Sequence, residues 1–109
     1  MKRQLRDKWA EKLRDPRTQQ SRGALETNFG YCCLGVLANI CEVPKQLRNT
    51  GIWMDFKFGN GFESASVVPT GFHGLTLRHI NTLTVMNDTD GVSFPQIADW
   101  IEANIPVED

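Results

Sequence analysis

Neither a membrane span nor an export signal can be read in this sequence. Its apolar stretches fall well short of the roughly 20 residues that cross a bilayer. The opening Met-Lys-Arg-Gln-Leu-Arg-Asp-Lys has no apolar run behind it, so a cytoplasmic protein is expected. Cysteine is scarce: three residues, an odd number, are expected to be reduced thiols instead of a disulfide framework. Histidine occurs only twice, and no Cys-x-x-Cys or His-x-x-x-His spacing is present, so no metal and no other cofactor is expected. With 109 residues and 40% hydrophobic content, the chain can bury one modest core, which predicts a single domain over 1–109.

Positive charge is missing from one end altogether. Residues 87–109 carry six acids and no Lys or Arg, whereas residues 1–22 carry eight Lys or Arg against three acids. A chain polarised in this way can bind an anion at its basic end or pair with a copy of itself, so a homo-oligomer is one expected state. The alternative is two solvated helix faces. A sequence pI near 6.1 excludes a general duplex-DNA binder, for which values above about 9 are usual.

What is present predicts an α+β domain, with about four helices around a central buried helix (31–41) and one antiparallel β-hairpin (52–68). In the first helix, about 2–15, Leu5, Trp9 and Leu13 form a narrow stripe, and Pro16 ends it. Ala24–Thr27 reads as a short extended piece. The helix at 31–41 is apolar on nearly every side, and Gly35 in its middle predicts a close approach by another element. Ile52, Met54, Phe56 and Phe58 alternate with Trp53, Asp55 and Lys57. A three-residue Gly59-Asn60-Gly61 loop would then set Phe58 opposite Phe62 and Lys57 opposite Glu63. A third helix is expected at about 76–86, with Leu77, Ile80, Leu83 and Thr84 on one face. In the fourth, Ser93, Pro95 and Gln96 read as N-cap, first-turn proline and capping-box residue. Phe94, Ile97, Ala98, Ile101 and Ile105 make its core stripe. Trp100 lies about 100° from that stripe, either as a lid on the core edge or as a partner-interface anchor.

Two chemistries compete at Tyr31-Cys32-Cys33-Leu34-Gly35. A thiol at a helix N-terminus is activated by the dipole, and Cys33 with His73, oriented by Asn87 or Asp88, would make a cysteine hydrolase. The opposing reading is that Cys33, Leu37 and Ile40 (or Cys41) share a core face, where cysteine behaves as a small hydrophobe. Asn87-Asp88-Thr89-Asp90-Gly91 has the front half of a calcium loop without its later ligands, and suits a turn equally well. Anion binding has wider support. The basic first segment, above all Arg17 to Gly23, and the aromatic hairpin mark Arg14, Arg17, Arg22, Trp53 and Arg78 as ligand-binding candidates.

Three motifs occur here in order: Trp9…Leu13-Arg14 leading to Gly23-Ala24-Leu25; Tyr31-Cys32-Cys33-Leu34-Gly35-Val36-Leu37; and Met86-Asn87-Asp88…Ser93-Phe94…Ile97-Ala98-Asp99…Ile101-Glu102. Together they resemble a family of small phage and prophage proteins, from which this chain departs at Ala38-Asn39, where the pattern often continues Cys-Asp. The resemblance implies a phage accessory product, expected in the host cytoplasm; small phage proteins of this size often act by occupancy instead of turnover. The expected function is non-enzymatic: countering a host defence system by binding a nucleotide-type anionic ligand. The alternatives are an inhibitor or adaptor that binds a host protein and, third, the cysteine hydrolase.

Overall fold

The computed structural model describes residues 1–47, 51–58, 61–62 and 68–108. Four helices carry the core: α1 (Arg3–Arg14), α2 (Cys33–Ile40), α3 (Leu77–Asp88) and α4 (Phe94–Asn104). Strands β1 (Glu26–Thr27) and β2 (Gly30–Tyr31) form a tight hairpin between α1 and α2. Strands β3 (Lys45–Leu47), β4 (Met54–Phe58) and β5 (Gly61–Phe62) form an antiparallel ribbon in that order. The α+β class is therefore as the residue pattern predicts.

The periodicity explains the packing. Trp9 and Leu13 of α1 are buried with Ala10, and Leu5 packs against the same cluster. Helix α2 is buried from Cys33 to Ala38, as expected of a helix without a polar face. Its apolar neighbours still have to satisfy polar groups, and the Trp9 indole Nε1 donates to the Cys33 carbonyl at 2.9 Å. Phe94, Ile97, Ala98, Ile101 and Ile105 are all buried on α4.

Gly35 explains how α2 can be central. A Cβ there would overlap the Leu25 carbonyl oxygen and lie 2.5 Å from its carbon. The same carbonyl accepts the Cys32 N–H at 3.0 Å, so the chain before β1 crosses directly over the first turn of α2.

The ribbon departs from the expected register. Phe58 pairs with Gly61 and Lys57 with Phe62, so the connection is two residues, not three. With glycine opposite, the Phe58 ring turns to Phe72 and packs edge-on at 5.4 Å between centroids. Residues 63–67 of the expected return strand lie outside the described residues. Strand β3 was invisible to alternation because Lys45, Gln46 and Leu47 are all exposed. Leu77 is also exposed at 57%, leaving Ile80, Leu83 and Asn87 as the buried face of α3.

Capping differs in place more than in kind. Ser93 makes no side-chain cap bond on α4. The reciprocal box forms instead on α3, where Thr76 Oγ1 accepts from His79 N at 3.1 Å and His79 Nδ1 accepts from Thr76 N at 3.2 Å. Histidine supplies at N3 the acceptor that Glu or Gln usually gives.

Candidate functional site

The two adjacent cysteines are a structural element. Cys32 is the N-cap of α2, its sulfur accepting from Gly35 N at 3.3 Å. Burial pushes its thiol up to about 12 and raises Cys33 well above the ordinary value, outweighing the backbone N–H groups that favour thiolate. Cys33 is fully buried, and its sulfur points to the Leu83 carbonyl at 3.7 Å. The Cys33/His73 pair does not form. His73 is exposed in the 3-10 turn Phe72–Gly74, its ring edge-on to Phe72 at 4.6 Å. Cys41, half-buried at the end of α2, is raised by burial as well.

Asn87, considered as an orienter for that pair, serves the fold. Its Oδ1 accepts from Gln20 Nε2 at 2.9 Å and from Cys33 N at 3.3 Å. Its Nδ2 donates to Ser21 O at 2.9 Å and to Asp88 Oδ1 at 2.7 Å. A fully buried amide with all these bonds locks the 20–21 loop to α2 and α3.

A cleft of about 430 Å³, ample for a small ligand, lies between α1 and α2. Lys8 and Lys12 of α1 form one wall, with Asp15, Arg17 and Thr18 just beyond the helix. Tyr31, Val36, Asn39 and Ile40 form the other, and Glu42 stands at its end. The two lysines are one turn apart and therefore on the same face of α1. Neither has an acid at ion-pair distance among the described residues. Arg17 is held by Asp15, with Nε to Oδ1 at 3.1 Å and Nη2 to Oδ2 at 2.9 Å. That guanidinium lowers the Asp15 carboxyl to about 2.

The far wall is braced. Asn39 Nδ2 donates to Glu26 Oε1 at 3.0 Å and to the Gly35 carbonyl at 2.8 Å. Lys45 Nζ pairs with Glu26 at 2.6 Å and donates to Asn39 Oδ1 at 2.5 Å. Where the resemblance pattern often has an acid, Asn39 joins β1, α2 and β3 through its amide. Glu42 follows α2 with φ 56, the left-handed position at which glycine is preferred. Its N–H bonds the Asn39 carbonyl and Val43 N–H bonds the Ala38 carbonyl, which is a Schellman closure.

The candidates from sequence are dispersed. Arg14 is committed to α4, at 2.7 Å from Asp99 and 2.5 Å from Glu102, and these bonds raise its pKa. It borders a broad, shallow trough along α1 that also includes Lys8, Lys12 and Arg17. Arg17 lines the cleft itself. The Arg22 guanidinium lies against Gly91, where a Cβ would be 3.0 Å from Nη2. Trp53 is 41% exposed and bridges to Thr27, and Arg78 is exposed near the start of α3; neither lines the cleft. Trp100 is half-buried against the core, its ring 6.5 Å from that of His79 and nearly perpendicular to it.

Lys8 and Lys12 were missed, although their i, i+4 spacing beside Trp9 and Leu13 placed them at the border of the buried stripe. Tyr31 was read only as part of the cysteine run. Among the described residues no His, Cys, Asp and Glu cluster could hold a metal ion. No helix among them is long and apolar enough to cross a membrane.

Residues 1–58 match the model of a family described as a domain of unknown function (DUF8296). No curated protein and no solved structure matches the chain.

Proposed function

This chain belongs to the DUF8296 family, and we propose that it is a non-enzymatic binding protein whose α1–α2 cleft takes a small anionic ligand of nucleotide type. One observation carries the reading: Lys8 and Lys12 border the cleft without ion-pair partners among the described residues. Both ammonium groups are exposed on one face of α1, so their charge is presented together at the cleft mouth. Phosphate oxygens would meet the two ammonium groups, while Glu42 could accept from a sugar hydroxyl or an amino group at the other end. Cys32 and Cys33 are buried behind α2 and do not line this cleft. The motifs that resemble phage accessory proteins extend the proposal to removal of a nucleotide used in host defence.

Calorimetry with AMP, ADP and ATP tests the ligand class. The double variant Lys8→Glu/Lys12→Glu should lose at least tenfold in affinity with its unfolding midpoint nearly unchanged, because both side chains are exposed. Absence of binding by the unaltered protein at micromolar concentration would sink the proposal.

A second reading, a protein-binding inhibitor or adaptor, is favoured by Leu47, Ile52 and Trp53, which are 55%, 44% and 41% exposed beside one another along the chain and ribbon. Stoichiometric recovery of one host protein, abolished by Trp53→Ala and indifferent to nucleotide, would support it.

A further inference from the structure

The α1–α2 cleft does not end at Tyr31. A second depression of about 350 Å³ begins there, sharing both Arg17 and Tyr31 with the cleft and running under the β1–β2 hairpin to Phe29. Phe29 is 70% exposed, the most exposed of the large apolar side chains among the described residues. It is nevertheless held firmly. Its N–H donates to Thr27 Oγ1 at 3.1 Å, and the neighbouring Asn28 N–H donates to the Ile52 carbonyl at 3.0 Å. Gly30 lets the hairpin lie against residue 19, where a Cβ would be 2.9 Å from the Gln19 carbonyl carbon. A fixed backbone thus presents an aromatic ring to solvent at the end of a charged groove.

Arg17 stands at the junction. Its two bonds to Asp15 fix the guanidinium plane and leave its other N–H donors without partners among the described residues. From one end to the other the groove offers two lysines, an oriented guanidinium, a tyrosine and an exposed phenylalanine; of its acids, Asp15 is paired with Arg17 and Glu26 with Lys45, and Glu42 stands at the far end of the cleft. Cations that track a backbone, followed by aromatic platforms for bases, are the common plan of single-stranded nucleic-acid sites.

We infer that the ligand is a two-nucleotide unit, with phosphate at Lys8 and Lys12, the linkage at Arg17 and the far base stacked on Phe29. This rests on the nucleotide reading of the cleft and extends it to a second unit. A single mononucleotide would leave the hairpin depression unfilled.

The test compares AMP, the dinucleotide pApA and an eight-residue oligoadenylate by calorimetry on the full chain. The dinucleotide should bind about tenfold tighter than AMP, and Phe29→Ala should abolish that gain while leaving AMP binding unchanged. Because Phe29 is exposed, Phe29→Ala should fold normally, and circular dichroism verifies this. Equal affinity for AMP and pApA would overturn the inference but leave the nucleotide reading standing. Binding of neither would remove both. A Phe29→Ala protein that keeps the dinucleotide gain would also overturn it, assigning the ring to protein contact. An oligoadenylate that binds no tighter than pApA identifies free dinucleotides as the source, whereas tighter binding identifies single strands.

Discussion

Helix α1 carries basic residues on two sides, and their fates are opposite. Toward α4, Arg14 is fastened to Asp99 and Glu102, and Arg6 Nη1 donates to the Glu102 and Ile105 carbonyls at 3.4 Å, where a cation favours the helix C-terminus. Toward α2, Lys8 and Lys12 remain unpaired over the cleft among the described residues. One charged helix therefore contributes a closed seam and an open wall. The excess of basic residues in the first 22 gave no hint of this division, because charge counting does not register pairing. Side-chain type is informative here. On α1 the planar forks of Arg6 and Arg14, suited to carboxylates and carbonyl rows, make the seam, and the flexible Lys8 and Lys12 line the cleft.

The largest effect should come from the shared scaffold. Gly35→Ala puts a methyl group into the Leu25 carbonyl and should cost about 3 kcal/mol or more, measured by denaturant unfolding. A loss under about 1 kcal/mol would mean that α2 and the crossing chain can separate, and the cleft would then not be a rigid wall.

Breaking the seam should matter less. Arg14→Met should cost about 0.5–1 kcal/mol at neutral pH, since exposed ion pairs are screened by solvent. Arg14 lowers the folded-state pKa of Glu102. That contribution is therefore complete above the unfolded value of 4.5 and fades as pH falls through the depressed folded one. Thermal unfolding of Arg14→Met and unaltered protein should differ at neutral pH and converge in strong acid. Nucleotide affinity should be unchanged in this variant; a tenfold loss would place Arg14 in the ligand site and dissolve the contrast between seam and cleft.

The smallest effect concerns the rim. Glu42→Gly relieves a left-handed residue at the Schellman position and should raise stability by roughly 0.5–1 kcal/mol in thermal unfolding. If stability falls instead, the Glu42 side chain has a packing or ionic role that its backbone strain conceals.

Much of the architecture was legible in the residue pattern. The stripes of α1 and α4 have full helical periodicity, and the apolar run with one glycine reads as a buried helix closely approached by another element, which proves to be the chain at Leu25. The cysteines could be assigned to the core because Leu37 and Ile40 continue their face. Strand β3 was not legible, since an edge strand with three exposed residues has no buried face to impose alternation. The capping box was misplaced because histidine imitated glutamate at position 79. The site was legible only as a charge excess. Choosing Lys8 and Lys12 over Arg14 and Arg22 depends on which acids fold against which bases, a long-range property that local spacing does not contain.

Gly35 also indexes the helix. If α2 slipped by one residue along the crossing chain, Leu34 or Val36 would come under the Leu25 carbonyl, where even a Cβ has no room. The helix is thereby keyed like a shaft in a slot, allowed one angular setting about its axis. Asn39 stands one turn further on and bonds back to the Gly35 carbonyl, so the same key fixes the direction in which Asn39 and Ile40 meet the cleft. The missing side chain at one position thus sets the orientation of the cleft wall a full turn away.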